Sequence, residues 1–271
     1  MWLELFLCLI CICALLLCVA ARCANRARCA NYARGGADPG RFSEKIITFD
    51  QQAPHPLNYG AFETTPESAH SSLMPWHVGS LQRALLREFG TTVQSVVDAT
   101  AHVGVDTANF QTLWPEAKIT ACEIDPAVAA ATRRNMKTVA AALHAPPATV
   151  LVADGSRLRW APADAPDLIY FDPPWGGHSA AAAARDPAAA AARKNLQLGG
   201  RPLPAVVAAA LRRGARAVAV KLPRETDTAR FRRAVSKMLS KTAFSLHARV
   251  HDIGDARLPG RTAYRLLIAR V

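Results

Sequence analysis

The sequence predicts an α/β protein built on a mostly parallel, seven-stranded β-sheet with a C-terminal antiparallel hairpin. Short apolar runs rich in β-branched residues alternate with longer helix-like stretches, which is typical of successive strand–helix–strand units. Four successive runs finish on or beside an acidic residue. Hydrophobic residues make up 51% of the 271 residues and charged residues 20%, so the composition excludes disorder of the whole chain.

Five short apolar runs are the predicted strands of the parallel part of the sheet. They are Val93–Asp98, Ala117–Ile124, Thr149–Val152, Leu168–Phe171 and Ala215–Leu222. The helix-like stretches are Thr107–Leu113, Pro126–Leu143, Leu203–Arg213 and Thr226–Leu239. Two more segments, Phe244–Val250 and Ala263–Ala269, flank a turn that contains glycine and proline, and they predict the hairpin that closes the sheet.

An N-terminal hydrophobic helix is predicted from the apolar run Leu5–Ala21, whose length is at the short end for a bilayer span. Arginines follow directly, so we expect a membrane anchor and basic juxtamembrane stretch over 1–33, with the rest of the chain in the cytoplasm. The alternatives are a cleaved signal peptide and a mis-assigned or unstructured N-terminus, and without an anchor the protein would be soluble in the cytoplasm or nucleus. Glycine, proline and polar residues over 34–61 predict a linker with one short strand at Lys45–Phe49, which leaves 62–271 as the folded domain.

The charge and the cysteine content restrict the partners of this domain. Lysine and arginine total 33 against 21 acidic residues, which gives a net charge of +12. A basic domain suits a polyanion such as RNA or an anionic membrane face, although a generally arginine-rich proteome gives the same balance. Six of the seven cysteines lie within the first 29 residues, which excludes a disulfide framework for the domain. No pairing of cysteine and histidine typical of zinc follows, so we expect no metal.

Acidic residues stand at the ends of four predicted strands, as Asp98, Glu123, Asp154 and Asp172. Ligands of open α/β sheets bind at the carboxyl ends of the strands, so this set indicates a ligand with a sugar and an amine-bearing group. A single such acid often only caps the next helix. Glu123 stands where ribose hydroxyls are commonly bound, and Asp154 can accept a hydrogen bond from an adenine amine.

The loop after Asp98 argues against a dinucleotide cofactor. Within Ala99–Thr107, His102 and Val105 occupy positions at which a dinucleotide-binding fingerprint needs glycine. Gly104 would still let the backbone approach a ligand at the start of a helix. The pattern therefore favours S-adenosylmethionine, which carries no phosphate, over a nicotinamide dinucleotide.

The most specific motif is Asp172-Pro173-Pro174-Trp175-Gly176-Gly177, directly after the fourth strand. An exocyclic base amine is a weak nucleophile because its lone pair is conjugated with the ring. Acceptors at Asp172 and at the Pro173 carbonyl would hold the N–H groups and aim the lone pair at a methyl donor. The prolines stiffen the backbone, and Trp175 offers a flat face on which a base can stack. The alternative is a proline-rich turn with a core tryptophan.

Several short segments between Phe62 and Ala269 follow one another in a recognisable order: Thr65-Pro66-Glu67, Val97-Asp98-Ala99, Glu123-Ile124-Asp125-Pro126, the hexapeptide from Asp172, Leu222-Pro223-Arg224 and Thr262-Ala263-Tyr264. In these segments and their order the sequence resembles the RNA cap guanine-N2 methyltransferase family, trimethylguanosine synthase. The loop Asp98–Thr107 is similar to that of members from large DNA viruses. The resemblance implies a Rossmann-like class I S-adenosylmethionine-dependent methyltransferase. It would transfer a methyl group to the exocyclic N2 of 7-methylguanosine in the 5′ cap of RNA, with capped RNA as its partner. The membrane is a second expected partner, through the N-terminal apolar run, which is a departure from this family.

The resemblance also implies a role for each matching position. The catalytic residues would be Asp172 and Pro173, which position N2, and Trp175, which stacks on the cationic 7-methylguanine ring. The residues implied in S-adenosylmethionine binding are Thr65, Glu67, Asp98, Thr100, Gly104, Glu123 and Asp154. Lys221 and Arg224 would bind the cap phosphates by their charge and position, or else form a solvated strand end.

The sequence departs from that family at several points, which keeps two other functions open. Asp172 stands where the family has serine and is similar instead to adenine-N6 and cytosine-N4 methyltransferases. His178 stands where the family has proline, and the glycine-rich loop is reduced to Gly104. One alternative is therefore an adenine-N6 or cytosine-N4 methyltransferase of nucleic acid. The other is a membrane-tethered cap-binding protein without activity.

Overall fold

The computed structural model describes residues 43–48, 58–65, 75–175, 196–240, 245–255 and 258–271. The helices in these ranges are α1 (Pro75–Phe89), α2 (Val105–Leu113), α3 (Pro126–Leu143), α4 (Leu203–Arg212) and α5 (Thr228–Leu239). The strands are β1 (Ser43–Thr48), β2 (Asn58–Thr64), β3 (Ser95–Asp98), β4 (Lys118–Glu123), β5 (Thr149–Val152), β6 (Leu168–Phe171), β7 (Gln197–Leu198), β8 (Arg201–Pro202), β9 (Ala217–Pro223), β10 (His247–Asp255) and β11 (Leu258–Arg270). Two short 3-10 turns, at Gly155–Arg157 and Pro162–Asp164, connect β5 to β6.

The main sheet has seven strands in the order β10-β11-β9-β6-β3-β4-β5. The five strands from β9 to β5 are parallel to their neighbours, and β11 lies antiparallel between β9 and β10. This arrangement confirms the predicted seven-stranded, mostly parallel sheet with a C-terminal antiparallel hairpin. The direction of the strand order reverses between β3 and β6, so a crevice is expected at their carboxyl ends.

The elements lie close to their predicted positions. Strands β5 and β6 and helix α3 have the predicted limits, since each is a continuous run with a clear start and end. The hairpin strands are longer than predicted, because pairing between β10 and β11 extends from His247–Arg270 to Asp255–Leu258. Cross-strand hydrogen bonds therefore hold polar residues in strands that hydrophobicity alone does not indicate.

The central strands β6 and β9 are buried on both faces, as expected for parallel strands. One hydrophobic cluster lies on each face of the sheet, and the side chains of β6 alternate between them. Leu168 and Tyr170 belong to the first cluster, and Ile169 and Phe171 belong to the second. Helices α1, α2 and α3 supply the first cluster, and α4 and α5 supply the second. The central strands are consequently fixed in position, and the residues that follow them are presented at one edge.

A two-stranded antiparallel sheet of β1 and β2 lies where the sequence predicted a linker with one short strand. The end of β2 is bound to α3. Asn135 bonds the backbone N–H and carbonyl of Glu63 at 2.8 and 2.9 Å, and Arg134 forms an ion pair with the Glu63 carboxylate. These contacts bring Thr65 to the same edge of the main sheet as the ends of β3 and β4.

The prediction of a membrane-anchored protein is corrected by the structure. Among the helices over the ranges given above, none is both long enough and apolar enough to cross a bilayer. The predicted anchor and hydrophobic helix over 1–33 lie outside the described residues.

Substituting Gly155 by alanine should destabilise the fold. A Cβ atom at this position would lie 1.8 Å from the carbonyl oxygen of Ala99, so the turn after β5 would have to move away from the end of β3. We expect Gly155→Ala to lower the free energy of unfolding in urea by about 1–3 kcal/mol. Gly254→Ala is the matched control, because its Cβ would be no closer than 3.9 Å to any neighbour. Equal stability of both variants and wild type would contradict this packing.

Candidate active site

The ends of β3 and β6 are held together at the point where the strand order reverses. The N–H of Ala99 donates to the Tyr170 carbonyl at 2.9 Å, and the N–H of Asp172 donates to Oγ1 of Thr100 at 2.7 Å. Asp98 is the last residue of β3, and Asp172 follows β6 directly. Asp98 and Asp172, both predicted for the site, therefore stand at the ends of two strands that are hydrogen-bonded to each other.

Asp98 is completely buried and organises the loop that follows it. Its carboxylate accepts hydrogen bonds from the Thr100 N–H at 3.2 Å and from the Thr107 hydroxyl at 2.6 Å. Burial, followed by repulsion from Asp106, raises the pKa of Asp98 to about 7. The carboxyl thus acts on the loop backbone and the start of α2, and it is not exposed at the surface of the edge.

Glu123 lies at the end of β4 and is half-buried. Its two carboxylate oxygens accept hydrogen bonds from the N–H groups of His102, at 3.0 Å, and Asp125, at 2.9 Å. The next residue, Ile124, is 66% exposed, the highest exposed fraction among the large hydrophobic side chains that the structure describes. A carboxylate next to an open apolar side chain can receive the hydroxyls of a ribose and the face of an attached base. Sequence reasoning assigned no role to Ile124.

Thr65 lies at this edge, directly after strand β2. Its hydroxyl is 3.4 Å from Nε2 of His102, a residue with a left-handed backbone conformation (φ 48°). Because the His102 N–H binds Glu123, the structure brings Thr65, His102 and Glu123 together. Glu67, Gly176, Gly177 and His178 lie outside the described residues.

The backbone conformation and the packing of Gly104 explain why glycine is needed at this position. Neither involves the predicted approach to a ligand. Gly104 precedes α2 with φ of +91°, a conformation that L side chains rarely adopt. A Cβ atom there would lie 2.8 Å from Cε of Met136 and 3.0 Å from Cγ2 of Thr132. The glycine therefore allows the loop to pack closely on α3, and the backbone approaches that helix.

Asp154 begins the 3-10 turn after β5. Its carboxylate accepts a hydrogen bond from the Ser156 N–H at 2.9 Å and pairs with Arg157 at 3.1 Å. Burial raises the pKa of Asp154, but hydrogen bonds from Ser156 and the charge of Arg157 outweigh this and lower it below its usual value. Gly199 lies against the same carboxylate, because a Cβ there would be 2.9 Å from Oδ2. Asp154 is therefore an ionised acceptor at the edge.

Asp172 forms an ion pair with Lys221 of the neighbouring strand β9, with 2.5 Å between Oδ2 and Nζ. Only 5% of the Lys221 side chain and 19% of the Asp172 side chain are exposed. The Lys221 ammonium lies 4.9 Å from the ring centre of Tyr264 and 5.7 Å from that of Trp175. This position differs from the predicted contact with cap phosphates, since the ammonium points into the protein.

Trp175 is half-buried and stands beside Tyr264, with ring centres 6.4 Å apart and planes inclined at 56°. Its Nε1 and the Tyr264 hydroxyl are buried and have no hydrogen-bond partner within the described part of the chain. Pro173 is buried and Pro174 is exposed. The indole N–H and the neighbouring tyrosine hydroxyl are therefore two unpartnered donors that a ligand can satisfy.

Arg224 directly follows strand β9 and is exposed. It forms a 3.0 Å ion pair with the adjacent Glu225, which is also exposed. An exposed guanidinium of this kind remains accessible to a phosphate, in contrast to Lys221. The structure therefore separates the two basic residues that the sequence treated as a pair.

Three residues in this cluster were missed by sequence reasoning. Asp106 and Tyr170 are buried, with the tyrosine hydroxyl 3.3 Å from Oδ2 of Asp106, while the other Asp106 oxygen has no partner among the residues described. Burial raises the pKa of Asp106, and Lys221 opposes this effect. Burial, then the charge of Asp106, raises the pKa of Tyr264 well above its usual value. The sequence places Asp106 directly before the predicted helix Thr107–Leu113, where an acid commonly caps the helix, so its burial had no signal in the sequence.

Comparison with known proteins shows a shared fold but no sequence family. The sequence matches no protein-family model and no curated protein. Among solved structures, Pyrococcus horikoshii TYW2 in complex with MeSAdo is 12% identical and covers 87% of this chain and 72% of its own, with a TM-score of 0.49. The SAM-dependent methyltransferase from Agrobacterium tumefaciens is 14% identical over 88% of this chain and 71% of its own, at 0.47. The structure of PH0851 is 12% identical over 84% of this chain and 54% of its own, at 0.51.

The likeness is one of fold, and the seven-stranded, mostly parallel sheet of this chain confirms the predicted α/β fold class. At these identities the likeness defines the fold and leaves the substrate open. Over the ranges that the structure covers, no group of three or more histidine, cysteine or acidic residues is arranged to hold a metal ion.

Stability should depend on pH through Asp98. Because its folded-state pKa is about 7, the folded protein holds a proton between pH 4 and 7 that the unfolded chain releases, so stability falls as pH rises through this range. Asp98→Asn removes this titration. We expect the unfolding free energy of wild type, relative to the variant, to fall by at most about 1.4 kcal/mol per pH unit and to level off above pH 7. Asp164→Asn, at an exposed position, is the control, and a pH-independent difference for Asp98→Asn would mean that Asp98 is already ionised.

Proposed function

We propose that this protein is an S-adenosylmethionine-dependent methyltransferase that methylates an exocyclic amine of a nucleobase in RNA, and that N2 of the 7-methylguanosine cap is its substrate. The observation that carries the proposal is the Asp172-Pro173-Pro174-Trp175 turn. It places a paired carboxylate and a half-buried indole together where the strand order of a methyltransferase fold reverses.

The residues at the edge fit the proposed cofactor. Glu123 uses one lone pair of each oxygen for backbone N–H groups, which leaves further lone pairs for ribose hydroxyls. Ile124 offers an open apolar face for adenine, and Asp154 is an ionised acceptor for the adenine amine. Thr65 and Thr100 line the same edge. S-adenosylmethionine supplies an electrophilic methyl group when it is bound.

The turn after β6 would orient the amine. Asp172 and the Pro173 carbonyl accept its N–H groups, which directs the nitrogen lone pair away from them and toward the methyl donor. The acceptors are preset, because Pro173 is buried and Asp172 is fixed by Lys221 on one side and by the Thr100 hydroxyl on the other. Trp175 would stack on the base.

The choice of the cap rests on the resemblance carried by the Pro-Pro-Trp-Gly-Gly string and on the basic charge of the chain. A net charge of +12 favours binding of a polyanion, and the exposed Arg224 is available for a phosphate next to the base. A cationic 7-methylguanine ring gains about 1–2 kcal/mol from stacking on a desolvated indole.

A second candidate substrate is the exocyclic amine of adenine or cytosine. The observation that favours it is the Asp172 carboxylate itself, which is ion-paired with Lys221 where cap guanine-N2 enzymes have serine. Product analysis separates the two. Labelled methyl groups would be found on N2 of 7-methylguanosine in the first case, and on adenine N6 or cytosine N4 in the second.

Loss of the Glu123 charge should weaken cofactor binding. Glu123→Gln replaces one acceptor oxygen by a donor, so we expect the Kd for S-adenosylmethionine, measured by titration calorimetry, to rise by about 10-fold to 100-fold, equivalent to about 1.5–3 kcal/mol. Glu116→Gln is the matched control, because Glu116 is exposed and belongs to the turn before β4. An unchanged Kd for Glu123→Gln would remove Glu123 from the cofactor site.

Trp175 should affect substrate binding and leave cofactor binding nearly intact. Trp175→Ala removes the stacking face, so we expect the Kd for 7-methylguanosine triphosphate to rise by about 10-fold or more, while that for S-adenosylmethionine changes by less than about threefold. Trp175→Phe should retain part of the affinity because it keeps a flat ring. A parallel loss of affinity for both ligands would assign Trp175 a structural role.

A further inference from the structure

We infer that Lys221 is a positioning residue that keeps Asp172 ionised and fixes the direction of its carboxylate, so that Asp172 acts as a hydrogen-bond acceptor for the substrate amine. The role of Lys221 in catalysis rests on the proposed function. The effect of Lys221 on the Asp172 carboxyl can be measured without any substrate.

The register of the strands places Asp172 and Lys221 side by side. Strands β6 and β9 are parallel neighbours in a register that pairs Phe171 with Val220, so the next residue on each strand is Asp172 and Lys221. Every residue of β9 is buried, and Lys221 is the one charged residue within that strand. A buried lysine loses the hydration of its ammonium group, which costs free energy. A simple packing role therefore explains poorly why lysine occupies this position.

The surroundings hold the ammonium in one place. Lys221 Nζ lies 2.5 Å from Asp172 Oδ2 and faces the rings of Tyr264 and Trp175 at 4.9 and 5.7 Å. Tyr264 is itself fixed, because its strand β11 pairs with β9 and its ring packs edge-on against His77 at 5.6 Å. An ammonium enclosed by a carboxylate and two aromatic faces has little room to move.

The local charges explain what the lysine does to Asp172. The titratable groups that face this pair are Asp98, Asp106, Tyr170 and Tyr264. Burial raises the pKa of Asp172 to about 6 although Lys221 lowers it, and Asp106 adds to the rise. Burial would lower the pKa of Lys221, but Asp172 and Asp106 raise it above its usual value.

Removal of the ammonium would therefore change the chemistry of Asp172. Burial and the neighbouring acids would favour the protonated carboxyl, in which one oxygen carries a proton and donates a hydrogen bond where it would otherwise accept one. A substrate amine would then lose an acceptor at the position that orients its lone pair. The effect should appear as a shift of pH dependence, which a general loss of packing does not produce.

The first experiment measures the Asp172 carboxyl directly. Carboxyl carbon signals of 13C-labelled aspartate are followed through a pH titration by NMR in the full chain, and the Asp172 signal is identified by its absence in Asp172→Asn. In Lys221→Met we expect the Asp172 pKa to rise by about one unit or more, and in Lys221→Arg to stay near that of wild type. Lys237→Met, at an exposed position on α5, is the matched control and should leave the titration unchanged.

The second experiment follows methyl transfer. Lys221→Met should move the acidic limb of the pH–rate profile upward by about one unit, which lowers kcat by about 10-fold on that limb and by less at higher pH, while the Kd for S-adenosylmethionine stays within about threefold. Lys221→Arg should restore the wild-type limb. Lys221→Gln is a second neutral variant if methionine is not accommodated in the folded protein.

The outcomes separate the inference from the proposed function. An Asp172 pKa that is the same in wild type, Lys221→Met and Lys221→Gln would overturn the inference, whatever the enzyme methylates. A loss of rate with no movement of the acidic limb would also overturn it, because Lys221 would then be structural. Absence of transfer by wild type to any base amine would refute the proposed function, while the NMR titration would still decide the role of Lys221.

Discussion

The ion pair between Asp172 and Lys221 is the interaction on which the candidate site depends. It joins the ends of two neighbouring central strands inside the protein, where each charge is stable only in the presence of the other. The aromatic rings of Trp175 and Tyr264 enclose the ammonium and connect the pair to the C-terminal hairpin. A substitution at any of these four residues should therefore alter the surroundings of the other three.

A second set of contacts keeps the opposite strand end in place. Thr100 accepts a hydrogen bond from the Asp172 N–H, and its own N–H donates to Asp98, so one residue links β3 to the turn after β6. The buried Asp98 holds the start of α2 through Thr107. Glu123 holds the same loop from the other side through His102. The loop is thus tied to two acids, which leaves the edge rigid before any ligand binds.

Much of the fold was predictable from the sequence, because its signals are local. Strands β5 and β6 and helix α3 could be placed to the residue, since an uninterrupted apolar run or an alanine-rich helix with a clear cap marks each of them. Asp98, Glu123 and Asp172 follow from the rule that parallel strands present their carboxyl ends at one edge. Strands β1 and β2 were not predicted as a pair, because hydrogen bonds between them and the contact of Glu63 with α3 stabilise that sheet more than the sequence of each strand does.

The sequence by itself determined the alternation of strands and helices, the acidic strand ends and the stiff Asp-Pro-Pro-Trp turn, since each depends on neighbouring residues only. The tertiary structure alone decided that Lys221 points inward to Asp172, that Gly104 is needed against α3, and that Asp106, Tyr170 and Tyr264 surround the pair. These relations depend on strand order and register, which bring together residues far apart in the chain. They also depend on burial, which gives charges and hydroxyl groups energies that their position in the sequence does not reveal.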